Sequence, residues 1–163
     1  MRRRRELLEN ATYHIVTRTN RKEMIFDTME IRTLFLQILA KAKKRYRFTI
    51  ENFCIMGNHI HLMIKPKQRT DLSRIMQWLL SVFAQTYNRM KKLTGHVWGD
   101  RFFSRAIKNL REYVTVFSYI NDNPVKAGLV ERSEDWPCCG SSFRIRSVRT
   151  ILDPLCGADG LPL

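Results

Sequence analysis

The chain has 163 residues, 44% of them hydrophobic, with 29 Lys and Arg against 15 Asp and Glu, a formal net charge of +14 and a pI near 10.2. This length suits one domain with its own core, and no run is apolar enough to span a bilayer. The charge points to a polyanionic partner, and the scatter of basic residues along the chain favours nucleic acid over a membrane surface.

Residues 2–5 form a basic arm followed by no apolar signal core, so a cytoplasmic protein is expected. The four cysteines, Cys54, Cys138, Cys139 and Cys156, lack paired metal-ligand spacing and read as reduced and either structural or incidental. The first strand is Tyr13-His14-Ile15-Val16-Thr17-Arg18, whose alternation puts His14, Val16 and Arg18 on one face. A helix follows from about Asp27, capped by Asp27 with Glu30 three residues on. Its apolar stripe is Ile31, Leu34, Phe35, Ile38, Leu39 and Ala42, and basic residues gather at its C-terminal end, where they complement the helix dipole.

Residues 47–56 read as a second strand. Gly57-Asn58 then turns the chain into Asn58-His59-Ile60-His61-Leu62-Met63-Ile64, an antiparallel partner that ends at Pro66. With a side-chain period of two, Ile60, Leu62 and Ile64 face a core, whereas His59, His61 and Met63 leave together from the other face. Two imidazoles side by side on a rigid strand make half of a divalent-metal site.

A second long helix starts near Thr70 or Asp71, with Leu72, Ile75, Met76, Leu79, Leu80, Phe83, Tyr87 and Met90 as its stripe, and closes near Gly95. Residues 98–107 turn into a fourth strand, where Arg101, Arg105 and Lys108 mix with aromatics in a manner suited to a nucleic-acid strand. Asn109 and Glu112 cap a third helix expected to stop at Asn123-Pro124. Its buried face is read as Leu110, Tyr113, Val114, Phe117 and Ile120. Tyr119 then falls on the polar side, with Asn123 four residues on and able to point the same way. Residues 125–130 and Trp136-Pro137 read as ordered loop. One domain over residues 1–143 and a loosely ordered tail over 144–163 are expected.

The order strand, helix, strand, strand, helix, strand, helix predicts an α+β, ferredoxin-like split βαβ antiparallel sheet. Helices cover one face, an added C-terminal helix carries the tyrosine, and the histidines lie on the uncovered face.

These residues resemble a family. His59-Ile60-His61 is similar to the HUH motif (histidine, bulky hydrophobic, histidine). The stretch from Tyr119-Ile120-Asn121-Asp122-Asn123-Pro124 to Val130 resembles the tyrosine helix and following loop of the REP-associated tyrosine transposases, within the HUH single-tyrosine transposases of insertion sequences. Residues 13–18, 56–62, 98–103 and Trp136-Pro137 with Ser141-Ser142 add matches in the right order, although Gly57 stands where proline is expected.

The resemblance implies that His59, His61 and Asn123 bind Mg²⁺ or Mn²⁺ and that Tyr119 is the nucleophile. It implies cleavage of single-stranded DNA next to a hairpin, such as a REP element, through a 5′-phosphotyrosine, with the protein associated with the nucleoid when bound. His14, Arg18, Arg101, Arg105 and Lys108 are the candidate DNA contacts, and a homodimer is left open. The main alternative is a domesticated hairpin-DNA binder that cleaves weakly or not at all. An RNA-binding ferredoxin-like domain lacks its aromatic stacking motif here. A two-histidine phosphoesterase would want two separated His-x-Thr/Ser motifs, and His14-Ile15-Val16-Thr17 has one residue too many.

Overall fold

A computed structural model describes Leu8 and residues 10–67 and 70–155. The basic arm at residues 2–5 and Cys156 lie outside the described residues. The elements run β1 (Tyr13–Arg18), α1 (Met29–Arg45), β2 (Phe48–Ile55), β3 (His59–Pro66), α2 (Leu72–Lys91), β4 (Phe103–Ala106), α3 (Leu110–Lys126) and a short α4 (Gly140–Ile145). The four strands form one antiparallel sheet in the order β2-β3-β1-β4, the ferredoxin-like arrangement expected from the element order.

One face of the sheet packs under α1 and α2. Ile15, Ile60, Leu62 and Ile64 meet Ile31, Phe35, Leu39, Ile75, Leu79 and Phe83 there, all buried. The stripes read from the sequence are the ones that pack, except that Met90 at the end of α2 is exposed. The α1 cap differs by one residue. The Thr28 hydroxyl, not the Asp27 carboxylate, accepts from Ile31 N at 3.4 Å. Asp71 caps α2 by accepting from Ser73 N at 2.8 Å.

The second face is not left uncovered. α3 lies across β2 and β3, and Ile120 packs with Cys54, Met56, Met63, Trp136 and Cys139 in a second, smaller core. Three expectations for this helix are corrected. Its inward side is Tyr113, Val116, Phe117, Ile120 and Pro124, whereas Leu110 and Val114 are 77% and 55% exposed. The helix also continues through Pro124 to Lys126, because the proline sits in the last turn, buried, and costs one ladder bond near an end that would fray anyway. Gly128, at φ 69°, then supplies the left-handed residue that closes the helix. His61 and Met63 are consequently buried beneath α3 rather than displayed to solvent.

The expected loose tail does not begin at residue 144. α4 covers residues 140–145, and Ile151 and Leu152 are buried in the main core. Asp153 lies beside the start of β2. Its carboxylate accepts from Ile50 N at 2.8 Å, its N–H donates to Ile50 O at 2.9 Å, and it pairs with Lys43. The three described cysteines, Cys54, Cys138 and Cys139, are free and buried, and burial pushes the Cys138 thiol up to about 11. No helix among the described residues is long and apolar enough to cross a membrane.

Replacing Ile151 with Ala is expected to cost about 2–5 kcal/mol of unfolding free energy in urea titrations. An unchanged midpoint would show that residues beyond α4 hold no part of the core.

Candidate active site

The sheet register brings the polar side chains together. β1 lies between β3 and β4, with His14 opposite Met63 and Arg105, Val16 opposite His61 and Phe103, and Arg18 opposite His59. Residues paired across strands share a face. His14, Arg18, His59, His61, Phe103 and Arg105 therefore stand on the same side of the sheet, the side that carries α3.

A bulge in β2 sets how α3 lands there. The register of β2 against β3 shifts between Ile50 and Asn52, so Ile50 and Phe53 both face the main core and Asn52 turns to the α3 side. Asn52 is 0% exposed and fully used. Its Nδ2 donates to Phe117 O at 3.1 Å and to Asn121 Oδ1 at 3.0 Å, and its Oδ1 accepts from Phe53 N at 2.9 Å. These bonds grip α3 on either side of Tyr119. Gly140 is needed for the same reason: a Cβ there would overlap the Asn52 amide oxygen.

So held, α3 carries Tyr119 to the histidines of its own chain. Ring centroids lie 5.5 Å from Tyr119 to His61 and 6.0 Å from Tyr119 to His14, both edge-on. Lys126 sits with its ammonium 5.4 Å from the Tyr119 ring centroid. Asn123 donates to Tyr119 O at 3.0 Å and hydrogen-bonds the His59 side chain. The structure thus brings His59, His61, Tyr119 and Asn123 together.

The imidazoles are oriented by partners that the sequence did not reveal as such. Asn58 Nδ2 donates to Lys22 O at 3.3 Å, which turns its Oδ1 to His59. That oxygen can only accept, so His59 Nδ1–H, 2.8 Å away, is the donor of that bond. His14 Nε2 lies 3.1 Å from His61 Nδ1, with the rings stacked at 16°. His61 Nε2 is buried and has no hydrogen-bond partner.

All three rings are held neutral. Burial, then the Arg105 guanidinium, push His14 down to about 4. Burial, then His59, His14 and Arg18, push His61 down to about 3. Burial and Arg18 lower His59, against the Asn123 hydrogen bond. Neutral imidazoles with unprotonated nitrogens are what a cation requires, and the orphaned His61 Nε2 is a donor without another use. His59, His61 and the Asn123 amide therefore fit a divalent cation. Among the described residues, no group of three or more His, Cys, Asp or Glu could hold a metal.

The proposed DNA contacts divide. Arg18 and Arg101 line a cavity beside the site. Arg105 is paired with Glu112 at 3.0 Å, and the Lys108 N–H donates to Glu112 at 3.0 Å as α3 begins. His14, half-buried, has its Nε2 turned to His61. Asn58, read as a turn residue, and Asn52, given no role, are what sequence reasoning missed. The break in alternation at Glu51-Asn52 was the one available signal for the bulge.

Comparison with known proteins places the chain by family and by fold. The family model for IS200-like transposases matches residues 8–123. The chain is 29% identical to a Haemophilus influenzae protein assigned to the REP-associated tyrosine transposases, over 93% of this chain and 89% of that protein. It is 26% identical to the REP-associated tyrosine transposase of Escherichia coli K12, over 82% and 78% respectively. The solved structure of a REP-associated tyrosine transposase bound to a REP hairpin superposes with a TM-score of 0.73 at 23% identity, covering 100% of this chain and 98% of that one. A Deinococcus radiodurans R1 protein assigned as a transposase gives 0.53 at 13% identity, covering 75% and 97%.

The buried rings carry a pH dependence. Unfolded, His14 and His61 titrate near 6.5, and folded they titrate near 4 and 3. Between those values the unfolded chain binds more protons, so stability falls as the pH is lowered. In metal-free protein, urea titrations are expected to show this fall from pH 6.5 downward, at no more than about 1.4 kcal/mol per pH unit for each ring. Substituting both with Gln should flatten the slope above pH ~5, where carboxylates stay ionised.

Proposed function

The chain belongs to the IS200-like transposase family, and from that premise we propose that it is a metal-dependent nickase and strand-transferase of single-stranded DNA, acting beside hairpins. The observation that carries this reading is the placement of the Tyr119 ring 5.5 Å from His61 and 6.0 Å from His14 within one chain. The hairpin substrate is taken from the REP hairpin held by the solved relative.

His59, His61 and Asn123 would hold the cation, Mg²⁺ or Mn²⁺. Such a cation withdraws charge from the non-bridging oxygens of the scissile phosphate. Tyr119 attacks that phosphorus through its phenolic oxygen. The new O–P bond replaces the bond to the 3′ oxygen, which leaves as a 3′-hydroxyl on taking up a proton from water, while the phenol gives its proton to water. The phosphodiester energy is retained in a 5′-phosphotyrosine. A second 3′-hydroxyl can attack it, restore the phenol and join two strands without ATP. Lys126, close to the Tyr119 ring, adds positive charge where the phosphate arrives.

His14 acts here as a positioning residue. By accepting from His61 Nδ1–H it fixes the tautomer that leaves Nε2 free, the role outer-shell partners commonly play for ligand histidines. On this reading Tyr119 serves the histidines of its own chain, since its ring lies beside His61 and His14 there.

Single strands bearing a stem–loop with unpaired arms are expected to be nicked in Mg²⁺ or Mn²⁺, leaving an adduct on Tyr119 visible by mass spectrometry. EDTA should stop nicking while binding persists. Cleavage that survives in Tyr119→Phe would overturn the nucleophile assignment, and tight hairpin binding without any adduct would favour a binding protein. His14→Ala is expected to weaken Mn²⁺ binding about 10–100-fold in electron paramagnetic resonance titrations. Unaltered Mn²⁺ affinity would remove His14 from this role.

A further inference from the structure

A cavity of about 420 Å³ opens where β1 ends, lined in part by Val16, Arg18, Arg21, Lys22, Arg101 and Phe103. Its floor continues the sheet surface of the active site. Val16 lies between His61 and Phe103 in the register, and Arg18 lies opposite His59. Cavity and histidines are thus neighbours on one face, a strand spacing of about 5 Å apart. Phe103 is 56% exposed, and its ring stands edge-on to His14 at 6.5 Å, so it leaves a bare aromatic surface beside the Tyr119 cluster.

The charge of the cavity is unspent. Arg18, Arg21, Lys22 and Arg101 converge on it, and among the described residues none of the four forms a salt bridge. The loop that carries two of them is held in an unusual shape: Arg21 and Lys22 are successive non-glycine residues at φ 51° and 58°. It is pinned by Asn20 N donating to Val97 O at 2.8 Å, Thr19 N to Asn58 O at 3.0 Å and Asn58 Nδ2 to Lys22 O at 3.3 Å. Asn58 is also the residue that orients His59, so a single amide ties the wall of the cavity to the candidate metal site.

We propose that this cavity is a nucleotide subsite. It takes one unstacked nucleotide of the DNA strand, adjacent to the phosphate presented to Tyr119. The base stacks on Phe103 and its phosphate lies among Arg18, Arg21, Lys22 and Arg101. Asn20 and Asp100, which also border the cavity, supply hydrogen-bonding groups for the base edge. The volume falls in the range of small-ligand sites and is too small for a hairpin stem. Stacking on an aromatic surface with phosphates held by Arg and Lys is how single strands are gripped without a duplex. The inference rests on the single-strand reading above.

The test uses full-length Tyr119→Phe protein, in which the strand stays whole, and a single strand containing 5-iodouracil, which on irradiation couples to aromatic side chains it stacks against. Mass spectrometry is expected to find the crosslink on Phe103. Phe103→Ala should lower affinity for the single strand about tenfold and leave affinity for a duplex of equal length unchanged. Crosslinks confined to residues outside the cavity, or equal weakening for both DNA forms, would overturn the subsite. The crosslink needs no change at Phe103, so it does not depend on how that variant folds. A wild-type protein that crosslinks at Phe103 but forms no adduct on Tyr119 would keep the subsite and refute the nucleophile. The reverse pattern would refute the subsite alone.

Discussion

The docking of α3 on the sheet is the constraint on which the site depends. The main core already accounts for α1, α2 and one face of the sheet, and nothing in it requires a helix on the other face. What seats α3 is a small apolar patch around Ile120 and the buried Asn52 amide, which bonds Phe117 O and Asn121 Oδ1 on either side of Tyr119. Apolar packing alone would let the helix slide or roll by a fraction of a turn. Two directional bonds at a fully buried residue do not, because a displaced Asn52 would leave its donors unsatisfied in the interior. The bulge at Glu51 is what aims Asn52 upward, Gly140 leaves room for it, and Arg144 bonds the Glu51 carbonyl.

The same surface shows how neutral imidazoles are maintained in a chain of +14. Burial is the main cause, and Arg18 and Arg105 nearby add to it, so protonation is opposed from two directions. Two guanidinium groups beside the rings thus reinforce what burial already does to the nearby nitrogens. Arg105 is shared, since Glu112 pairs with it and accepts from Lys108 N at the start of α3. One carboxylate thereby links β4, the helix cap and the charge beside His14. Asn109 completes this start by accepting from Glu112 N at 2.9 Å.

The C-terminal segment closes the structure around these elements. Trp136 donates to Ile55 O at 2.9 Å and lies under the Arg32 guanidinium, while Ile55 N donates to Cys138 O at 2.9 Å. This extends pairing beyond β2 and covers the end of the second core. Further on, Asp153 pairs its backbone with Ile50, the last residue before the bulge. The bulged strand is thus held on either side of its bulge, at Ile50 and at Ile55, by segments more than eighty residues away in sequence. The irregularity that positions the tyrosine helix is fixed from outside the hairpin that contains it.

The sequence by itself determined the element order, the sheet it implies and the alternation of β3, because side-chain periods of two and about 3.6 are local consequences of backbone geometry. It also carried the identity of the family, through the His59-Ile60-His61 triplet and the stretch from Tyr119 to Val130. Tertiary structure decided the rest. That Leu110 and Val114 are exposed while Pro124 is buried follows from which side of α3 meets the sheet, and helical period alone gives several such sides. That His14 faces His61, and that Asn58 orients His59, are pairings across strands and loops fixed by register and by a single amide, with no local sequence pattern to announce them. Ile151 and Leu152 carry too short an apolar signal to be read as core, and they are core because Asp153 anchors them to Ile50.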